Sequence, residues 1–135
     1  SRGDNSGTHM KEVSLWRASA IEPSWPGYLS VGQGMSATLR MANELSAYTL
    51  SDRGSWLAHR QQLAYLQAYP AEGQSLHNPY RILIINPQRY PHINRLAAES
   101  FSRWLLSRPV QKKIADFSVD GLWLFCPDKQ RTACE

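Results

Sequence analysis

Apolar positions recur at helical spacing in several stretches of this chain and run without interruption in one. Met10, Val13 and Trp16 recur every third residue, which predicts a helix from Thr8 to about Ala20. Met35, Leu39 and Ala42 predict a second helix over 35–45. A third, roughly 54–64, follows the turn Ser51-Asp52-Arg53-Gly54. Ile93, Ala97, Phe101, Trp104 and Leu105 share one face of a predicted helix from His92 to Leu106. Pro109 opens a fifth, carrying Val110, Ile114 and Phe117. The uninterrupted run Ile82–Ile85 lies in a predicted strand, 80–86, bracketed by Pro79 and Pro87 and suited to burial on both faces. Ala47–Leu50 predicts another strand, because Tyr48 and Thr49 favour extended backbone. Residues 21–34 are broken by Pro23, Pro26, Gly27, Gly32 and Gly34 and predict a connector with a short strand. Strands alternating with helices argue for an α/β fold with a mainly parallel sheet. Ligands in such sheets sit at the carboxyl ends of strands, facing helix starts.

The opening residues, SRGDNSGTH, have the composition of such a site. A glycine- and hydroxyl-rich turn that opens a helix presents unpaired N–H groups at its positive end. Arg2 adds a forked, permanently charged donor. Ser6 and Thr8 add hydroxyls, and Gly7 allows close approach to the backbone. Asp4 either accepts from Arg2 or faces a protonated oxyanion, and would repel one with no proton. Gly34, Ser36 and Thr38 stand at a second glycine-rich helix start, a weaker candidate of the same kind. Elsewhere the bland reading prevails. Asp52 and Arg53 read as a turn held by an aspartate side chain, and His9 as structural or solvent-facing. Trp25, Trp56, Trp104 and Trp123 read as packing residues, and His59, His77 and His92 lack ligand spacing.

In order along the chain stand SRGDNSGTHMKEVSLW, then GQGMSATLRMANELSAYTLSDRGSWLA, then NPYRILIINPQRYPHIN, then WLLSRPVQKKIADF. This succession resembles the tungstate-binding proteins of bacterial ABC transporters, a type II periplasmic-binding-protein family. It departs at Ser36, where that family usually has glycine, and at Ser55, where it usually has threonine. The Arg-x-Asp-x-Ser-Gly-Thr core also resembles phosphate-binding proteins of the same fold class. The resemblance implies half of a two-lobed clamshell. Residues 1–79 would belong to the second lobe, 80–87 would be the crossover strand, and 88–135 would be helices covering the first lobe. It implies a tetrahedral oxyanion, tungstate or molybdate, as cargo, with Arg2, Asp4, Ser6, Gly7, Thr8, Gly34 and Ser36 facing it. It further implies an ABC permease as partner, the remaining N-terminal lobe of the same protein as the other half of the cage, a periplasmic or extracellular location, and no cofactor. The apolar face of helix 92–106 should then want a sheet supplied from elsewhere, or else a second copy. One lobe alone should bind weakly. Phosphate or sulfate binding, and a scaffold or signalling module that has lost its ligand, are the alternatives.

Charge and cysteine content alter this picture little. The net charge of +4 suits anion capture, and no nucleic-acid signature accompanies it. No apolar run approaches a membrane span. Cys126 and Cys134 can close a small loop by a disulfide or stand as free thiols; their spacing makes no metal site alone. Ser6, His9 and Asp4 lie too close together in one turn for a nucleophilic triad, and no phosphate-loop lysine follows a glycine loop. An enzyme is not expected.

Overall fold

The computed structural model describes residues 1–69 and 76–127. The chain divides into two units, Ser1–Ala71 and Glu72–Glu135.

The first unit is organised around one amphipathic helix. In α2 (Met35–Glu44) the residues Met35, Thr38, Leu39 and Ala42 are buried, one stripe at i, i+3, i+4, i+7. The stripe packs against α3 (Arg53–His59), and Leu63, Trp56 and Leu66 close over it. Thr38 is the one buried polar side chain among the described residues, and its hydroxyl donates to Gly34 O at 3.2 Å. The Thr38 hydroxyl is therefore not stranded in the core. α3 begins where Asp52 accepts from the Ser55 N–H at 2.8 Å and from its hydroxyl at 2.7 Å. Both carboxylate oxygens serve the cap, so Asp52 acts as a turn residue. The predicted single helix over 54–64 is instead α3 followed by a 3₁₀ turn, Arg60–Gln62.

α1 (Gly7–Ala18) buries no residue fully and is anchored through its aromatic side. Trp16, Trp25 and Tyr28 meet edge to face, with centroids 5.6–6.4 Å apart. The helix ends at Ala18, two residues short of the expected Ala20, whose φ of +53° lies in the left-handed region.

The predicted strands at 47–50 and 80–86 are assigned to no ladder. The only sheet among the described residues is a two-stranded antiparallel hairpin, β1 (Ser118–Val119) and β2 (Leu122–Trp123), pairing Ser118 with Trp123 and Val119 with Leu122. Its turn is Asp120-Gly121, both at positive φ (51° and 75°), the conformation that joins two twisted strands through two residues. The expected parallel sheet is not formed among these residues, because a strand exists only where a neighbour takes up its N–H and C=O groups. The run 80–85 lies exposed, with Leu83 at 86%.

In the second unit α4 (Arg95–Leu105) starts three residues later than predicted. Asn86 turns the chain by accepting from Gln88 N, and Asn94 caps the helix by accepting from Ala97 N at 3.0 Å. Ser107 and Pro109 begin α5 (Arg108–Asp116), where Gln111 Nε2 donates to Leu105 O across the joint. No described residue of this unit is buried. Phe101 and Trp104 stack on one another and are 58% and 56% exposed; Trp123 is 48% exposed. These two tryptophans are not core residues, because no covering layer meets them among the described residues. Cys126 is disulfide-bonded, and Cys134 lies outside the described residues.

Candidate functional site

The opening loop begins with a main-chain pairing that the sequence does not announce. Ser1 N donates to Leu29 O at 2.8 Å, and Val31 N donates to Ser1 O at 3.0 Å. One residue bonding to two partners that flank its opposite number is the pattern of a parallel ladder. Gly32 N then donates to Arg2 O at 2.9 Å. Two chain segments thus run side by side in the same direction. Each leads into a helix, the first through Ser6 into α1 and the second through Gly34 into α2.

Gly3 makes the close pairing possible. It sits at φ +64°, and a Cβ there would lie 1.8 Å from the Ser30 hydroxyl oxygen. Asn5, at φ +59°, makes the second sharp bend, and its N–H donates to His9 Nδ1 at 3.0 Å. His9 therefore braces the loop from inside α1.

Arg2 and Asp4 form an ion pair at 2.7 Å between Nε and Oδ2, with each side chain about one-fifth exposed. The contact is not aligned as a hydrogen bond: Arg2 Nε and Thr49 Oγ1 are the two sequestered side-chain polar atoms left without one among the described residues. Asp4 also accepts from Ser6 N at 3.0 Å. The Ser6 hydroxyl, the Ser6 N–H and the Arg2 charge hold the Asp4 carboxyl below the usual carboxylate range, against the opposing effect of burial. Asp4 is thus engaged by Arg2 and by Ser6.

Ser6 is the N-cap of α1; its hydroxyl accepts a long contact of 3.5 Å from His9 N. Met10 N is satisfied by Ser6 O. The N–H groups of Gly7 and Thr8 have no acceptor among the described residues, and a Cβ added at Gly7 would meet nothing within 4 Å. At α2, Gly34 caps without a side chain, and a Cβ there would likewise meet nothing within 4 Å. Ser36 stands half-buried in the first turn. Two open helix starts, each with unpaired donors, therefore follow a common parallel pairing, and Arg2 stands at that pairing. Such an arrangement can hold a compact anion by backbone N–H groups, hydroxyls and one guanidinium.

Glu12 belongs to none of the candidate site residues, yet three donors converge on it. Its carboxylate accepts from the Ser1 hydroxyl at 2.7 Å, from Tyr28 OH at 2.8 Å and from Trp16 Nε1 at 3.2 Å. Burial pushes its pKa up, but those three donors outweigh it and hold the group below its ordinary range. Tyr28 is pushed up by burial and by the neighbouring Glu12 charge. A shallow groove of about 400 Å³ between α1 and Pro23 is lined by none of the loop residues. Among the described residues no helix is long and apolar enough to cross a membrane, and no group of three acidic, histidine or cysteine side chains could hold a metal ion.

The chain is similar to several known proteins. The chain is 38% identical over 130 residues to the "Tungstate-binding protein TupA" of Peptoclostridium acidaminophilum, covering 95% of this chain and 45% of that protein. It is similar to the crystal structure of the tungstate ABC transporter from Geobacter sulfurreducens, with 36% identity, a TM-score of 0.70, and coverage of 87% of this chain and 49% of that one. It is also similar to the tungstate binding protein TupA of Desulfovibrio alaskensis G20, with 34% identity, a TM-score of 0.67, and coverage of 95% and 53%. The chain spans about half the length of the curated relatives it matches. A family model described as a PBP superfamily domain matches residues 1–109, and with the loop and helix starts it covers, the chain belongs to that superfamily.

Proposed function

We propose that the first unit forms one wall of a site for a tetrahedral oxyanion, tungstate or molybdate, in the solute-binding component of an ABC transporter. The observation that carries this reading is the parallel pairing of residues 1–2 with 29–32, from which the chain leads into the starts of α1 and α2. Arg2 supplies the charge. Gly7 and Thr8 supply backbone N–H groups, Ser6, Thr8 and Ser36 supply hydroxyls, and Gly34 leaves the second helix start open. Asp4 orients Arg2 and does not accept from the ligand. With Asp4 tied to Arg2, the site should accept a fully deprotonated oxyanion such as tungstate. The role is capture without chemistry, and no resident cofactor takes part.

The rest of the reading follows the relatives' names and length. The other donors come from a first lobe of the same protein, residues 80–87 form a crossover strand of a mainly parallel sheet, and 88–135 cover that first lobe. The loaded protein docks on an ABC permease at the outer face of the membrane, in the periplasm or its extracellular equivalent. Isothermal titration with sodium tungstate, molybdate, sulfate and phosphate tests the reading, with Arg2→Ala alongside. Heat with tungstate or molybdate that vanishes in Arg2→Ala is the expected result. Equal heat from all four anions, or retention in Arg2→Ala, would overturn it.

A further inference from the structure

Three donors from three places in the sequence converge on one carboxylate behind the loop. Ser1 lies on the first of the two paired segments and is bonded in sequence to Arg2; Tyr28 immediately precedes the second; Trp16 lies one turn further along α1. We infer that Glu12 is a positioning residue of the anion site, setting Arg2 and the start of α2 in register with the start of α1. This inference rests on the oxyanion reading.

Glu12 stands on α1, five residues beyond the open N-terminus at Gly7. Its Oε2 holds the Ser1 hydroxyl, and the Ser1 main chain is bonded to Leu29 and Val31. Its Oε1 holds Tyr28 OH and Trp16 Nε1. Helix α1, the first segment and the second segment are thus joined at one group. The main-chain pairing alone joins only the two segments. Remove the carboxylate and α1 is tied to them through the loop Gly3–Ser6 and the aromatic contacts among Trp16, Trp25 and Tyr28. Donors that must converge within a few tenths of an ångström lose affinity when the groups behind them loosen, by about 10-fold in comparable outer-shell changes.

The test combines amide hydrogen exchange with titration of sodium tungstate, on the wild-type chain and on Glu12→Ala, Glu12→Gln and Tyr28→Phe. In Glu12→Ala, the amides of Val31 and Gly32 should exchange about 10-fold faster while Leu39 and Ser55 amides keep their protection. Tungstate affinity should fall by about 10-fold in Glu12→Ala. Glu12→Gln, which keeps one acceptor oxygen, should recover part of both effects, and Tyr28→Phe should show a smaller loss. A uniform rise in exchange across the unit, or none at Val31 and Gly32, would overturn the positioning role. So would wild-type tungstate binding that Glu12→Ala leaves unchanged, which would let the oxyanion reading stand. A wild-type chain silent to tungstate would overturn the oxyanion reading itself, and the role in binding with it.

Discussion

The first unit of this chain has a small buried apolar core, and the second has none among the described residues. In the first, Met35, Leu39, Ala42, Leu57 and Leu63 are all at most 6% exposed. In the second, α4 carries the more sharply amphipathic pattern of the two helices, yet Phe101 and Trp104 are more than half exposed. An apolar stripe states what a helix needs and does not supply it. α2 finds α3, Leu63 and Leu66 within the next twenty-two residues of chain. Among the described residues, the stripe of α4 and the run Tyr80–Ile85 stay largely exposed.

The largest effect that could break the contrast is in the core of the first unit. Leu39→Ala should cost about 2–5 kcal/mol by urea denaturation, because it empties a site 1% exposed. Phe101→Ala in the second unit should fall within about 0.5 kcal/mol of wild type, as an exposed substitution does. Similar losses from the two would show that the second unit has a core of its own.

Next in size is the loop. Gly3→Ala should cost about 1–3 kcal/mol, since the new Cβ meets Ser30 Oγ and the residue stays at positive φ. Ser30→Gly in the same chain should recover part of that loss, read as a double-mutant cycle from thermal melts. A neutral Gly3→Ala would remove the close approach from the account.

Helix caps sharpen the comparison further. Asp52→Ala should cost about 0.5–2 kcal/mol and shift the melting of the whole first unit. Asn94→Ala removes an equivalent cap from α4. Lacking buried partners, α4 should respond locally, with lost helical NMR shifts over its first turn and no change in the first unit.

The smallest effect is in acid. Asp4 and Glu12 are both held below their ordinary values of 3.8 and 4.5 in the folded protein. Groups lowered on folding contribute stability that is present above those ordinary values and lost as pH falls through the folded values. The first unit should therefore weaken in acid below about pH 4, and Glu12→Gln should flatten part of that slope in urea midpoints taken from pH 7 to pH 3. An unchanged slope would contradict the Glu12 cluster.

Much of the helical content was legible because its periodicity is local. The stripe Met35, Leu39, Ala42 needs only ten residues to be seen, and Gly7, Thr8, Gly34 and Ser36 could be picked out from residue type beside a predicted helix. The turn Asp120-Gly121 carries a hairpin signal, but its two-residue strands are too short to show alternation. Glu12 was not legible as a hub because its partners Ser1 and Tyr28 stand 11 and 16 residues away and converge only through a parallel pairing. The strand predicted at 80–86 finds no pairing partner among the described residues for the opposite reason. Its sequence describes a buried environment, and burial belongs to the neighbours as much as to the strand.

The central claim is that the starts of α1 and α2 hold an oxyanion together with Arg2. The most direct measurement follows backbone amide NMR shifts while sodium tungstate is added, with sodium sulfate as control and Arg2→Ala in parallel. The account predicts saturable shifts at Gly7, Thr8 and Ser36, larger with tungstate than with sulfate and lost in Arg2→Ala. Shifts spread over the surface, or identical in Arg2→Ala, would contradict it.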